Sequence, residues 1–172
     1  QMCIRDSFCT TSSYVKSTLC FATADNIEGP YTYVDTILYS GYGKSNISET
    51  NLYDVLGKNA DISRYLEYGG YNNKEWPNCI DPAIFTDADG RMWMNYGSWS
   101  GGIFLLEIDP TTGYPIYPVD DKDADPYYGY RLIGGGHHSA EGPYIQYDAE
   151  NGYYYLFVSY GDLQLSLIHI SE

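Results

Sequence analysis

The sequence predicts an all-β protein made of repeated four-stranded units, as in a partial β-propeller. Tyr, which favours strands, occurs 21 times and Gly, which favours tight turns, 18 times in 172 residues. Short aromatic segments are separated by turn pairs such as Asp-Gly and Asn-Gly. One strand pattern also recurs further along the chain, which is typical of propeller blades.

Six segments are predicted to be strands because aromatic and β-branched residues dominate them and turn residues bound them. In chain order they are FCTTSS (8–13), TLCFATA (18–24), YTYVDTIL (31–38), RMWMNYGS (91–98), GGIFLLEID (101–109) and YYYLFVSYG (153–161). Hairpin turns are predicted at Asp89-Gly90, Thr112-Gly113 and Asn151-Gly152. Residues 42–78 are more polar, with patchy helical spacing, and are predicted to form an insertion with one or two short helices or turns.

The repeat places two acidic residues at equivalent positions. IDPAIFTDADGRMWMNYGS and AEGPYIQYDAENGYYYLFVSYG align as an acid, a hydrophobic pair, a hairpin and an aromatic strand, so Asp81 and Glu141 lie 141 − 81 = 60 positions apart. Each begins the innermost strand of a blade, and we expect both side chains to face the central channel. Glu28 shares the tetrapeptide Glu-Gly-Pro-Tyr with Glu141 but follows an outer strand, which predicts a turn residue.

The strands amount to about two blades plus part of a third. A closed propeller needs at least four blades, so the natural protein is predicted to be longer than this chain.

Two carboxylates at one end of a shared channel suit glycoside hydrolysis. One carboxyl group must be protonated so that it can give its proton to the leaving oxygen, and a second nearby charge raises the pKa of the first. The structural alternative is that Asp81-Pro82 is only a turn at the start of a strand and Glu141 its equivalent.

The net charge of −14 argues against nucleic acid and anionic membrane surfaces as partners. No apolar run approaches the roughly 20 residues of a membrane-spanning helix. An acidic groove also favours a neutral polysaccharide over polygalacturonate, whose carboxylates it would repel.

The two ends of the chain do not match the pattern between them. QMCIRDS (1–7) and LSLIHISE (165–172) are similar to translations of one transposase adapter oligonucleotide in its two orientations, so both are predicted to be non-native segments. The natural part is then 8–164. It contains Cys9, Cys20 and Cys79, whose spacing indicates neither a zinc site nor a disulfide framework, and buried free thiols are expected.

The segments NCIDPAIFTDADGRMWMNYGSWSGGIFLLEID and GGGHHSAEGPYIQYDAENGYYYLFVSYG resemble glycoside hydrolase family 43, particularly its endo-1,5-α-L-arabinanase branch. YGSWSGGIF and ATADNIEGPY support that branch, and the resemblance covers essentially all of 8–164. It implies a five-bladed β-propeller and hydrolysis of α-1,5-L-arabinofuranosidic bonds with inversion.

Residue by residue, the resemblance assigns the general acid to Glu141 and the pKa-modulating aspartate to Asp81. The general base belongs to a first blade, near a His-Asp-Pro-type motif, and no residue of this sequence matches it. Because inversion needs a base to activate water, the chain by itself is predicted to be inactive.

Further residues are predicted to bind substrate. Residues similar to Ser98, Trp99 and Ser100 line the substrate groove in relatives, although Trp99 could equally pack between blades. Tyr144 and the glycines near Glu141 would let a sugar approach closely. His137 and His138 are adjacent in a strand and would face opposite sides, which argues against a metal pair, and His138 is expected to hydrogen-bond substrate. Asp87 and Asp89 have the spacing of calcium ligands, but Asp89-Gly90 favours a turn.

Alternatives remain at this point. An exo-acting α-L-arabinofuranosidase or β-xylosidase would use the same scaffold, with 42–78 as a loop that closes the groove, and a sugar-binding propeller would lack catalysis. Unequal acids at equivalent positions favour catalysis over binding alone. The resemblance implies plant arabinan or arabino-oligosaccharides as substrate and an extracellular or cell-surface location. We expect a monomer, and calcium in the complete protein would have its ligands outside this chain.

Overall fold

The computed structural model describes residues 4–161, which form three main antiparallel sheets and one short two-stranded sheet. The first sheet consists of β1 (Ile4–Ser13), β2 (Lys16–Ala24) and β3 (Thr32–Tyr39), and a two-residue hairpin, β4 (Leu66–Glu67) with β5 (Gly70–Tyr71), follows it. The second sheet contains β6 (Ala83–Thr86), β7 (Met92–Tyr96), β8 (Ile103–Ile108) and β9 (Tyr130–Ile133), and the third contains β10 (Ala140–Asp148) and β11 (Tyr153–Tyr160).

Strands that follow one another in sequence are hydrogen-bonded neighbours within each sheet, which is the arrangement of propeller blades. The second sheet is a complete four-stranded blade, and three and two strands of other blades flank it. The predicted all-β class, with about two blades plus part of a third, is therefore confirmed.

The first strand begins earlier than the sequence predicts. β1 starts at Ile4 rather than Phe8, and its residues Ile4–Ser7 pair with Phe21–Ala24 of β2. A β-ladder joins backbone groups, so pairing can extend through residues that do not share the pattern of the strand. The adapter origin of 1–7 stays a prediction, and residues 165–172 lie outside the described residues.

Two of the three predicted hairpin turns lie between β6 and β7 and between β10 and β11, and the third, at Thr112-Gly113, reverses the chain after β8, where Ile108 pairs with Pro115 in an isolated bridge. Asp87 closes the first of them, since its carboxylate accepts hydrogen bonds from the backbone N–H groups of Asp89 and Arg91 and from the indole N–H of Trp93. Asp87 is thus a turn residue, as the Asp89-Gly90 pair predicts. Glu28 is also exposed in a turn, where Gly29 N donates to Asn26 O.

Segment 42–78 forms short helices, as predicted, but it also contributes to the core. It contains α1 (Leu52–Leu56) and two 3₁₀ turns, Ile47–Glu49 and Ser63–Tyr65. Its buried Tyr65 and Trp76 rings pack against Tyr128, which lies in the connection between β8 and β9. No helix among residues 4–161 is long and apolar enough to cross a membrane.

Asp125 fastens the β8–β9 connection to this segment. It is only 6% exposed, and its carboxylate accepts hydrogen bonds from the Tyr65 hydroxyl and from the backbone N–H groups of Tyr127 and Tyr128. Arg64 Nη2 lies 3.2 Å from Asp125 Oδ2. Burial raises the pKa of Asp125, and the hydrogen bonds and Arg64 only partly oppose that rise.

The cysteines do not form a disulfide within the described residues. Cys9 lies opposite Leu19 and is exposed, whereas Cys20 lies opposite Phe8 and is buried, so the two side chains point to opposite faces of the β1–β2 pair. Cys79 is also buried and free, so the expected burial holds for Cys20 and Cys79 and is wrong for Cys9.

Asp125→Ala should lower the free energy of unfolding by about 3 kcal/mol, because it leaves two buried backbone N–H groups and the Tyr65 hydroxyl without an acceptor. Urea denaturation followed by tryptophan fluorescence measures this. The control is Asp123→Ala, which removes an exposed ion pair with Lys122 and should change stability by less than about 0.5 kcal/mol. Equal effects of the two substitutions would contradict the anchoring role of Asp125.

Candidate active site

Asp81 and Glu141 meet where two inner strands begin. Asp81 lies two residues before β6, and Glu141 is the second residue of β10, which packs against β6 and β7. The backbone N–H of Gly142 donates a hydrogen bond to Asp81 Oδ2 at 3.2 Å. Both acids are half-buried. The structure thus brings together the two carboxylates that the repeat singles out.

The electrostatics of Asp81 reflect this proximity. Burial raises the pKa of Asp81, the hydrogen bond from Gly142 lowers it, and the nearby Glu141 carboxylate raises it further. Asp81 also has a φ of 54°, in the left-handed region that non-glycine residues rarely occupy. Such strain persists only where surrounding contacts enforce it, and it is common at functional sites.

The turn between β7 and β8 supplies a third polar group. Ser98 is 4% exposed, and its hydroxyl donates to Glu141 Oε2 at 3.3 Å. Trp99 and Ser100 have φ values of 48° and 40°, and Trp99 N donates to Ala140 O at 2.9 Å, which ties the turn to the start of β10. Gly102 is required here because a Cβ would lie 2.0 Å from Ile133 O.

The residues predicted to bind substrate differ in how deeply they are buried and in what they contact. Ser98 contacts Glu141, Trp99 is half-buried, and Ser100 is fully buried. The side chain of His138 is exposed, and its backbone carbonyl accepts a hydrogen bond from Ala140 N. The prediction that His137 and His138 lie in a strand is wrong, because both lie in the connection between β9 and β10, where His137 N donates to Ser100 O at 3.0 Å with a φ of 64°.

A β-bulge brings Tyr144 to the face of Glu141. Glu141 pairs with Ser159 and Tyr144 pairs with Phe157, so three steps along β10 match two along β11. The extra residue places both side chains on one face, whereas simple alternation would separate them. Tyr144 is 51% exposed, and its ring centroid lies 6.4 Å from that of Phe157.

Sequence reasoning missed Asn95 and the backbone of Gly142. Asn95 lies in β7 opposite Ala83, is fully buried, and donates through Nδ2 to Pro143 O at 2.7 Å. It therefore joins the beginnings of β6 and β10. The sequence signal that could have identified Asn95 is its polar side-chain amide within the otherwise apolar run MWMNY. Among the described residues, Asn95 Oδ1 and Ser100 Oγ are buried without a hydrogen-bond partner.

The described residues offer no group of three or more His, Cys, Asp or Glu side chains placed to hold a metal ion. A separate cleft of about 620 Å³ lies between β3, residues 48–55 and residues 114–118, away from Asp81 and Glu141.

Comparisons with a family model and with curated proteins show what this chain is similar to. The family model described as glycosyl hydrolases family 43 matches residues 55–170. The extracellular endo-α-(1→5)-L-arabinanase of Thermotoga petrophila is 41% identical over 148 residues, which is 86% of this chain and 27% of that protein. Endo-arabinanase 2 of Bacillus subtilis is 40% identical over 148 residues, 86% of this chain and 26% of that protein. The chain thus spans about a quarter of the length of these curated relatives.

Solved structures show the same similarity. The crystal structure of endo-1,5-α-L-arabinanase from Thermotoga petrophila aligns with a TM-score of 0.70 at 39% identity, covering 94% of this chain and 31% of that one. The family 43 YxiA protein from Bacillus licheniformis aligns with a TM-score of 0.71 at 36% identity, with the same coverage of 94% and 31%.

Glu141→Gln should lower the pKa of Asp81, because it removes the neighbouring negative charge. NMR titration of the Asp81 carboxyl carbon measures the change. Because the folded-state pKa of Asp81 is raised, the stability that Asp81 contributes is complete below its unfolded-state pKa and is lost as the pH rises through its folded-state pKa. Glu141→Gln should lower the folded-state pKa and so narrow the pH range over which this stability is lost.

Glu28→Gln is the matched control, since Glu28 lies in the same tetrapeptide but in an exposed turn. It should leave the Asp81 titration unchanged. An Asp81 pKa that does not respond to Glu141→Gln would show that the two carboxylates are not electrostatically coupled.

Proposed function

This chain belongs to glycosyl hydrolase family 43, whose arabinanases are five-bladed propellers, and we propose that it is part of an inverting hydrolase that cleaves α-1,5-L-arabinofuranosidic bonds. The proposal depends on one observation above all. Asp81 and Glu141, equivalent in the repeat, converge through the hydrogen bond from Gly142 to Asp81. Neither carboxylate belongs to a structural ion pair among those described.

Glu141 is proposed as the general acid. Its carboxyl proton passes to the glycosidic oxygen as the bond from that oxygen to the anomeric carbon breaks. Ser98 holds one oxygen of the Glu141 carboxyl group, which limits the directions in which that group can point. Asp81 is proposed to modulate Glu141 through its charge and to orient it through Gly142.

Inversion requires a base on the opposite face of the sugar. A water molecule attacks the anomeric carbon while the base takes its proton, and the two catalytic carboxyl groups are typically about 6.5–9.5 Å apart. We match no residue of this chain to that base. The proposal therefore assigns to this chain the acid side of the reaction and part of the substrate groove.

Arabinan or its oligosaccharides are the proposed substrates, and endo action is proposed because the similar proteins are named endo-arabinanases. A neutral polymer also avoids repulsion by the net charge of −14. The relatives are named extracellular, and we propose the same location for this protein. Release of oligosaccharides of mixed length from linear arabinan would support endo action, whereas release of a single short product would indicate exo action.

Glu141→Gln, in a protein that combines this chain with a complete propeller, should lower kcat on linear arabinan by about 10²–10⁴-fold, because the leaving oxygen loses its proton donor. Activity on an aryl arabino-oligosaccharide with a good leaving group should fall much less, since that group departs without protonation. Glu28→Gln should leave both activities intact. Equal losses on the two substrates would rule out Glu141 as the acid.

The chain of 172 residues alone should hydrolyse linear arabinan at least about 10²-fold more slowly than the complete propeller, because the contribution of a general base is missing. Reducing-sugar assays on equal molar amounts of the two proteins measure this. Comparable rates would show that this chain contains its own base and would overturn that part of the proposal.

A further inference from the structure

The pairing of β10 with β11 is interrupted at two residues beside the candidate site. Glu141 and Tyr144 both have register partners in β11, but the ladder skips Gly142 and Pro143 between them. Pro143 has no backbone N–H, and Gly142 has a φ of 59°, in the left-handed region that favours glycine. Because the ladder does not fix these two residues, contacts from other strands must set their direction.

Two side chains of the preceding blade supply those contacts. Gly142 N donates to Asp81 Oδ2 at 3.2 Å, and Asn95 Nδ2 donates to Pro143 O at 2.7 Å. Asp81 lies two residues before β6, and Asn95 of β7 pairs with Ala83, the first residue of β6. The two bonds therefore reach the same short stretch of β10 from the same part of the neighbouring blade.

The packing of the blade does not by itself account for an amide at position 95. Asn95 is fully buried within the run MWMNY, and its Oδ1 has no hydrogen-bond partner among residues 4–161. A buried polar atom without a partner is unfavourable, and an apolar side chain would avoid that cost. The bond to Pro143 O is what the amide provides in return. Such a departure from the most stable packing is typical of residues that serve a site.

We propose that Asn95 is a positioning residue for the acid side of the proposed reaction. Its amide holds Pro143 O and so directs the N–H of Gly142 toward Asp81. The same contact fixes the part of β10 that carries Glu141, although Asn95 itself touches neither the substrate nor the reacting atoms. The inference rests on the proposed function, because it takes Glu141 to be the general acid.

Asn95→Leu in this chain tests the contact without any measurement of activity, since leucine is similar in size but cannot donate a hydrogen bond. Amide hydrogen exchange at Gly142, followed by NMR, should become about tenfold faster because the N–H is no longer held against Asp81. Burial raises the pKa of Asp81 and the hydrogen bond from Gly142 lowers it, so loss of that bond should raise this pKa further. Asn95→Val, which also suits a strand and cannot donate, should give the same two changes.

Tyr96→Phe is the matched control. Tyr96 is the next residue of β7, is fully buried, and donates through its hydroxyl to Tyr128 O at 2.8 Å. The substitution also removes one buried bond from a side chain to a backbone carbonyl, but on the other face of the strand. It should leave the exchange of Gly142 and the pKa of Asp81 unchanged.

Equal responses of Gly142 in the Asn95 variants and in Tyr96→Phe, or no response in any of them, would overturn the positioning role and leave the proposed function intact. Near-ultraviolet circular dichroism shows whether each variant keeps its packed aromatic core. Loss of that packing in both Asn95 variants would make Asn95 a structural residue and would also overturn the inference.

The second measurement uses a protein that combines this chain with a complete propeller. Asn95→Leu should lower kcat on linear arabinan about tenfold and leave KM nearly unchanged, because it disturbs the alignment of the acid and not the groove. A normal kcat despite faster exchange at Gly142 would overturn the inference. If Glu141→Gln leaves the activity of the complete propeller unchanged, the proposed function fails, whereas the contact of Asn95 with the Gly142–Pro143 stretch is still tested by the exchange data.

Discussion

The hydrogen bond from Gly142 to Asp81 is the contact on which the candidate site depends. It joins the beginning of β10 to the residues that precede β6, the inner strand of the blade before it, and it brings two carboxylates within electrostatic reach. Like charges resist such proximity, so other contacts must maintain it. Asn95 does so from β7 by holding the carbonyl of Pro143, and Ser98 does so by holding Glu141 itself.

Backbone strain is concentrated around the same point. Asp81, Trp99, Ser100 and His137 all have left-handed φ values, although none is glycine. Each such residue costs about 1–3 kcal/mol, so the surrounding structure must compensate for the strain. The hydrogen bonds from Trp99 to Ala140 and from His137 to Ser100 provide part of that support. The proposed proton transfer would benefit from such preorganised polar groups, since their alignment is complete before substrate binds.

Segment 42–78, which lies outside the blades, contacts the loops that surround Glu141. Gly101 N donates to Trp76 O, and Gly136 N donates to Lys74 O, so the end of segment 42–78 contacts both loops that surround Glu141. The same segment is fixed to the core through Asp125 and the rings of Tyr65, Tyr127 and Tyr128. The sequence suggests that segment 42–78 is a polar insertion. In the structure, it connects the aromatic core to the rim of the propeller.

The sequence by itself determined the blade pattern and the equivalent positions of Asp81 and Glu141, because strand alternation and turn pairs are local features and the repeat recurs along the chain. It also separated Glu141 from Glu28, since the two identical tetrapeptides follow different strands. Only the tertiary structure decided that Tyr144 shares a face with Glu141 and that Asn95 and Gly142 hold the carboxylates. These features arise from a bulge and from contacts between blades, and pairing between residues far apart in sequence leaves no local periodic signal.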